Sequence, residues 1–205
     1  MAEKKLDFIP TGLCEELVAG EKLREDKFFT LLGIIGPIIA YFSIGLAIYF
    51  SPWFSWYKNA LSDLGHAQKS SVSPIFNSGL LLSGFLIAIY AVKSLSKHAK
   101  YTSISLVFSA LMLQSIAAFD EIYGEIHLIV SILFFVSAGI SCVIYSIEEK
   151  TVLAALAFLV GLLTWILYWM DMYEAGIAVP EIISALAATS CVIQSALKSI
   201  GSFRK

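Results

Sequence analysis

Long runs of apolar residues alternate along the chain with short polar segments. Six of these runs are long enough to cross the hydrocarbon core of a bilayer, for which an α-helix needs roughly 20 apolar residues. The pattern therefore predicts an all-α integral membrane protein, in which a bundle of six transmembrane helices fills residues 28–199. The predicted helices are residues 28–50, 74–95, 101–119, 127–147, 151–170 and 180–199.

The segment before the first predicted helix, residues 1–27, has a different pattern. Leu13, Leu17 and Leu23 are spaced for one face of a helix and stand among charged residues. We expect residues 1–27 to form an amphipathic segment that lies at the membrane surface. Residues 200–205 are expected to form a short tail on the same side of the membrane.

Composition agrees with a membrane protein and argues against other classes. The chain is 58% apolar and only 15% charged, with a mean hydropathy of +0.80, whereas soluble domains are about 25% charged. A net charge of -2 without a basic run argues against nucleic acid as a partner. Cys14, Cys142 and Cys191 have no paired spacing, so no disulfide framework is predicted.

The distribution of basic residues predicts the orientation of the bundle. If both termini are cytoplasmic, only Lys58 and Lys69 of the 14 Lys and Arg residues fall on the outer side. Cytoplasmic segments next to transmembrane helices carry an excess of Lys and Arg. We therefore expect a cytoplasmic N-terminus, a cytoplasmic C-terminus and a location in the cell membrane.

Acidic residues and histidines collect at the predicted outer ends of the helices. The segments Asn59–His66 and Asp120–His127 carry both kinds of residue, and Glu181 begins the last helix. Asp120, His127 and Glu181 lie at the boundaries of apolar helices, where an ionisable group is costly unless it meets a partner or a wet cavity. We expect these segments to converge on a pocket in which Asp63 meets His127, directly or through a metal ion or a water molecule, and Asp120 or Glu181 completes the pocket. The alternative is that outer loops simply tolerate acids, because the orientation rule concerns Lys and Arg.

Two kinds of chemistry fit such a pocket. Asp63, Asp120 and His127 offer carboxylate oxygens and an imidazole, which suit Zn²⁺, Mn²⁺ or Ca²⁺, although the sequence has no HExxH spacing. Alternatively, a carboxylate orients His127 as a general base, with Ser62 as the nucleophile. Asp63, Asp120 and His127 are thus the candidate catalytic residues as well as the candidate metal ligands. If the protein is an enzyme, we expect a hydrolase or transferase that acts on a lipid.

The candidates for contacts with a substrate are Ser62, His66, Gln114 and Glu181. Three of them have a purely structural alternative. Ser62 and Asp63 suit an ordinary cap or Asx turn, in which short polar side chains bond nearby backbone N–H groups. Glu181 suits the first turn of a helix, where the helix dipole favours an acid. Gln114 suits an interhelical hydrogen bond.

Several short motifs resemble those of known membrane protein families. Ser62-Asp63-Leu64-Gly65 follows the first helix, Phe119-Asp120 and His127 surround the third turn between helices, and Pro180-Glu181 begins the last helix. In this order they resemble a prokaryotic family of six-helix membrane proteins of unknown function. The first motif also resembles the loop of the damage-regulated autophagy modulators and of the factors that remodel GPI-anchor lipids. This resemblance implies a lipid-related role at a membrane.

Three functions are consistent with the sequence. The first is a protein that binds, and as an enzyme modifies, a membrane lipid or its headgroup at the outer face. The second is a transporter or ion pathway, against which the central thirds of the predicted helices lack ionisable residues. The third is a non-enzymatic subunit that holds a membrane-protein partner or a second copy of itself through faces of small residues, such as Ser137 and Ser141.

Overall fold

The computed structural model describes the backbone of residues 11–202 and the side chains of residues 20–201. Within this part of the chain there are six long α-helices and no strand. Each of the six contains a segment that is long and apolar enough to cross a membrane. The predicted fold class, an all-α bundle of six membrane-spanning helices, is confirmed. The helices are α1 (Thr11–Tyr49), α2 (Ser73–Lys93), α3 (Lys100–Ala118), α4 (Glu125–Glu148), α5 (Val152–Trp169) and α6 (Ala178–Ser202).

The first helix is longer than the span that hydropathy predicts. Helix α1 runs without a break from residues 11–27 into the apolar stretch and continues through Pro37. The segment that can cross a membrane begins at Gly20. Of the predicted amphipathic segment, residues 1–10 and the side chains of Leu13 and Leu17 lie outside the described part of the chain, so its contact with a membrane surface stays a prediction.

The helices pack as a ring of five with one helix outside. Helices α1, α2, α3 and α4 contact one another in sequence, and α6 closes the ring against α1 and α4. Helix α5 packs on α4 and α6. Close helix contacts depend on glycine: a Cβ at Gly79 would lie 2.2 Å from Cβ of Ser43, and one at Gly84 would lie 2.7 Å from the carbonyl oxygen of Ala110. Small residues allow such close approach where lipid provides no hydrophobic driving force.

The two ends of the bundle have different polar character. At one end, here called the acidic end, lie the connections of residues 50–72, 119–124 and 170–177. At the other, here called the basic end, Lys97 pairs with Asp26 and Lys198 pairs with Glu149. The candidate residues of the sequence analysis therefore lie at the acidic end, apart from Gln114 within α3.

Candidate functional site

The loop of residues 50–72 folds over the acidic end and is anchored by apolar side chains. Within it a short 3₁₀ helix, Ser62–Gly65, follows Leu61. Leu61 and Leu64 are buried in the same apolar cluster as Phe76 of α2 and Ala178 of α6. Burial of these two leucines turns the polar side chains between them, Ser62 and Asp63, toward the neighbouring loops.

Backbone hydrogen bonds join this loop to the segment before α6. The N–H of Gly176 donates to the carbonyl of Trp56 at 2.8 Å, and the N–H of Ala178 donates to the carbonyl of Asn59 at 3.0 Å. The two chains approach so closely that a Cβ at Gly176 would lie 2.8 Å from the carbonyl oxygen of Asn59. The loop is thus held against α6 along its backbone.

Asp63 stabilises the fold of its own loop. One of its carboxylate oxygens, Oδ2, accepts from the side-chain amide of Asn59 at 2.8 Å and from the backbone N–H of Ala60 at 3.0 Å. This is the local capping role that the sequence offers as the structural alternative. Asp63 also has a neighbour outside the loop, because its carboxyl group is within hydrogen-bonding range of Glu121.

Glu181 makes the side-chain contact of longest range in the site. Its Oε2 accepts a hydrogen bond of 2.6 Å from the backbone N–H of Leu61. It lies in the first turn of α6, as the helix-dipole alternative requires, but its carboxylate reaches across to the loop. The side chains of Asp63 and Glu121 lie within electrostatic range of it.

Glu121 completes a group of three carboxyl groups, Asp63, Glu121 and Glu181, here called the carboxylate cluster. Its Oε1 accepts from the hydroxyl of Ser62 at 2.7 Å. Burial, followed by the adjacent Asp63 carboxyl, raises the pKa of Glu121 above its ordinary value, while donation from Ser62 and the nearby His127 act in the opposite direction. A protonated Glu121 can donate to Asp63 while it accepts from Ser62, so the cluster is able to share a proton.

Asp120 positions Glu121 and does not point into the cluster. Its Oδ1 accepts from the N–H of Ile122 at 2.9 Å, which caps the 3₁₀ turn Glu121–Tyr123, and its Oδ2 accepts from the N–H of Ala67 at 3.1 Å. The side chain is buried. One oxygen therefore caps the local turn and the other holds this turn against the loop of residues 50–72, so Asp120 has a structural role.

The imidazole of His127 bonds partners other than Asp63. Its Nδ1 is 2.8 Å from the carbonyl oxygen of Phe119, at the end of α3, and its Nε2 is 3.4 Å from the hydroxyl of Ser131. A carbonyl oxygen only accepts, so Nδ1 carries a proton and donates it to Phe119, while Nε2 faces the hydroxyl of Ser131. The hydroxyl of Ser62 bonds Glu121 instead of an imidazole, so the predicted pairing of Ser62 with His127 as nucleophile and base is not formed.

The predicted metal ligands do not form a metal-binding group. Within the described part of the chain, no three His, Cys, Asp or Glu side chains are arranged so that they could hold a metal ion. Asp63, Asp120 and His127 each use their polar atoms on different protein partners.

Two other candidates lie apart from the cluster. His66 is buried at the end of the 3₁₀ helix, and its Nδ1 accepts from the N–H of Gln68 at 3.3 Å. Gln114 donates to the carbonyl of Ala110 in its own helix at 3.2 Å and packs against Gly84 of α2. The predicted interhelical hydrogen bond of Gln114 is thus an intrahelical one.

A cavity begins beside the carboxylate cluster and continues into the bundle. It has a volume of about 120 Å³ and is enclosed by residues of α1, α2, α3, α4 and α6. Glu181, Ser62 and Leu61 line it at the acidic end, and Val192 lines it at its far end. From the start of α6 to Val192, at about 1.5 Å per residue, the cavity reaches roughly 20 Å into the bundle.

The walls of the cavity are mainly apolar. The polar groups are few, and most have protein partners: the hydroxyl of Tyr41 bonds that of Thr189 at 2.8 Å. Ser83 of α2 differs, because its side chain is fully buried and its hydroxyl has no hydrogen-bond partner. A narrow apolar cavity with carboxylates at one end suits an elongated molecule with a polar end.

Residues 34–198 match the model of a family described as a protein of unknown function, DUF998. The chain belongs to this family. The matched residues include the whole carboxylate cluster and every residue that lines the cavity. Family membership confirms the expectation of a family of unknown function, while the resemblance to autophagy modulators and GPI-anchor remodelling factors stays a prediction. No curated protein and no solved structure matches the chain significantly.

Proposed function

We propose that this DUF998 protein binds an amphiphilic membrane molecule, a lipid or a lipid-like compound. Its polar end would lie at the carboxylate cluster and its apolar chain in the cavity. The observation that carries this proposal is the continuity of the cavity, which runs from Glu181 and Ser62 into an apolar interior.

Selectivity, more than hydrophobicity, would determine which molecule the cavity binds. A hydrocarbon chain gains little when it moves from lipid into an apolar protein cavity, because lipid tails are as apolar as leucine. Selection of one molecule from the bilayer must therefore come from the shape of the cavity and from its polar end. A cavity of about 120 Å³ that reaches roughly 20 Å into the bundle is long and narrow, which favours one chain over two.

We orient the carboxylate cluster toward the outer face of the cell membrane. The argument is the distribution of Lys and Arg, of which only Lys58 and Lys69 lie at the acidic end. The polar head of an amphiphile from the outer leaflet would then lie at the carboxylate cluster, and its apolar chain would lie in the cavity.

The test is the small-molecule content of the purified protein. The protein is extracted into nanodiscs, and bound molecules are identified by mass spectrometry against empty nanodiscs. We expect one class of amphiphile at a defined stoichiometry, and its loss from Ala185→Leu, because Ala185 lines the cavity. Ala118→Leu, at an exposed position of α3, is the matched control. An equal content in wild type, both variants and empty nanodiscs would refute the proposal.

A second cavity favours a transport pathway as the alternative function. It has a volume of about 30 Å³ and lies in line with the first, because both touch Leu106, Ala138, Ala188 and Val192. The fully buried hydroxyl of Tyr145 has no hydrogen-bond partner at this second cavity. Flux of ions or amphiphiles across proteoliposomes, above that of empty vesicles, would favour transport over binding. The third hypothesis, a subunit that holds a partner, has no specific observation in its support.

A further inference from the structure

Among the residues whose side chains are described, no Lys or Arg pairs with the carboxylate cluster. Among the described residues the ion pairs are Lys97 with Asp26 and Lys198 with Glu149, both at the basic end. The carboxyl groups of the cluster are instead bonded by neutral donors, namely the hydroxyl of Ser62, the amide of Asn59 and backbone N–H groups. Several carboxyl groups that lie close together without a cation attract a positive charge.

Ser83 gives an independent sign of an occupant farther along the same cavity. Its side chain is fully buried, its hydroxyl has no hydrogen-bond partner among the described residues, and it lines the cavity. Buried hydroxyl groups almost always have a partner, because an unpaired one is costly. Measured from the starts of α2 and α6, at about 1.5 Å per residue, Ser83 lies roughly 10 Å deeper than Glu181.

These two features lie at different depths of one narrow space. Between them the cavity is lined by apolar side chains such as Ile44 and Leu80. A molecule that satisfies both must therefore be elongated, with a polar group at one end, an apolar stretch, and a second polar atom farther along.

We propose that the occupant is a single-chain amphiphile whose head is a protonated amine held by the carboxylate cluster, and whose chain carries a hydrogen-bonding group opposite Ser83. This inference rests on the proposed function and adds the charge of the head. An ammonium group donates charge-assisted hydrogen bonds to carboxylates without the tight coordination that a metal ion requires. Anionic heads are disfavoured, because the cluster would repel them in a medium of low dielectric constant.

The first experiment tests the charge of the head. Dodecylamine, dodecanol and dodecanoate are titrated into the protein in phosphatidylcholine nanodiscs, with partitioning into empty nanodiscs subtracted. We expect dodecylamine to bind at least about tenfold more tightly than dodecanol, since hydrogen bonds to charged groups are the strong ones. Glu181→Gln should remove this advantage, and Glu174→Gln, at an exposed acid of the same end, should keep it.

The second experiment tests the role of Ser83. Amino alcohols of increasing chain length, with the hydroxyl at the far end, are compared with alkylamines of the same length. We expect one chain length at which the amino alcohol binds several-fold more tightly than its alkylamine. Ser83→Ala should abolish that gain, whereas Ser78→Ala, which alters an exposed serine of the same helix, should leave it intact. A gain that is absent at every length, or that survives Ser83→Ala, overturns the assignment of Ser83.

The outcomes separate this inference from the proposed function. If the three dodecyl probes bind equally and Ala185→Leu blocks them all, the cavity binds amphiphiles and the cationic head is refuted. If no probe binds above the level of empty nanodiscs, and no amphiphile copurifies with the protein, both the inference and the proposed function fail.

Discussion

The backbone N–H of Leu61 donates a hydrogen bond of 2.6 Å to Oε2 of Glu181, and this bond joins the loop after α1 to the first turn of α6. The two residues are far apart in the sequence, and the carboxylate is also part of the cavity wall. Glu181 therefore has a structural partner in the loop and also lines the cavity.

Glu181→Ala should lower the free energy of unfolding by about 1–3 kcal/mol, because it leaves the N–H of Leu61 without an acceptor. Glu181→Gln keeps an acceptor and should cost less. Reversible denaturation in mixed micelles measures both, with Glu174→Ala as the control at an exposed acid. Equal losses for the Ala and Gln variants would mean that the hydrogen bond to Leu61 is not what stabilises the loop.

Gly176→Ala should displace the loop from α6. A Cβ at this position meets the backbone of Lys58 and Asn59 at 2.9 Å and 2.8 Å, and backbone cannot rotate away as a side chain can. We expect a loss of about 1–3 kcal/mol in the free energy of unfolding, as for other overpacked sites.

The control for Gly176→Ala is a glycine with open space around it. Gly45 lies in α1, and an added Cβ there meets nothing within 4 Å. Because alanine is the better helix former, Gly45→Ala should leave stability unchanged or raise it by up to about 1 kcal/mol. If the two variants behave alike, the loop does not depend on close contact at Gly176.

The orientation of the bundle can be tested with cysteines placed at opposite ends. Gln68 lies in the exposed part of the loop at the acidic end, and Lys97 is exposed at the basic end. In a background in which Cys14 is replaced by Ser, a membrane-impermeant thiol reagent should label Gln68→Cys in intact cells and should not label Lys97→Cys. Cys142 and Cys191 are buried and should stay unlabelled. The reverse pattern would invert the bundle and move the carboxylate cluster to the cytoplasmic face.

The helices were predictable because the bilayer imposes a length on every apolar run. That Glu181 would find a partner at the acidic end also followed from physics, since a carboxylate near hydrocarbon is costly without one. The partner of Glu181 was not predictable, because it is a backbone N–H, and every residue of the loop except proline has one.

The position of His127 shows what the sequence could not provide. Phe119, at the end of α3, has a carbonyl outside the regular helical pattern, and such carbonyls need other donors. The turn between α3 and α4 contains Gly124, with φ of +51°, and brings the imidazole of His127 to this carbonyl. The orientation of His127 depends on this local backbone geometry, which residue types do not specify.

Glu121 is the one member of the carboxylate cluster that was not among the site residues predicted from the sequence. It stands in an acidic turn beside Asp120 and Glu125, and composition alone does not distinguish the three. A signal was nevertheless present, because an Asp followed by a short turn is a common cap. If Asp120 caps this turn, its side chain is used locally and Glu121 is left to make contacts outside the turn. In the structure Asp120 caps the turn and Glu121 bonds Ser62.

Asp63 and Glu121 should be energetically coupled. The double-mutant cycle of Asp63→Asn and Glu121→Gln should give a coupling energy of about 0.5–3 kcal/mol, as residues in one hydrogen-bonded network do. The matched cycle pairs Asp63→Asn with Glu125→Gln, at an exposed acid of the same segment, and should be additive. A third cycle with His127→Gln should give a smaller coupling. If the coupling energy of Asp63 with His127 exceeds that of Asp63 with Glu121, Asp63 pairs with His127, as the sequence predicts.

Stability should depend on pH through Glu121. Burial and the Asp63 carboxyl raise the pKa of Glu121 above its ordinary value of 4.5, so the folded state binds a proton more tightly than the unfolded state. The resulting stabilisation is fully present below pH 4.5 and is lost as the pH rises through the raised pKa. The free energy of unfolding of the wild type should therefore fall over that range.

Glu121→Gln should remove this part of the pH dependence. A glutamine amide can donate to Asp63 and accept from Ser62 as a protonated Glu121 does, but it does not ionise. The variant should therefore match the wild type at low pH and be more stable than the wild type at neutral pH. Melting temperatures across the pH range measure this, with Glu125→Gln as the control that keeps the slope of the wild type. The opposite result is that the wild type becomes more stable than Glu121→Gln as the pH rises. It would show that Glu121 is held as a carboxylate and that the cluster does not share a proton.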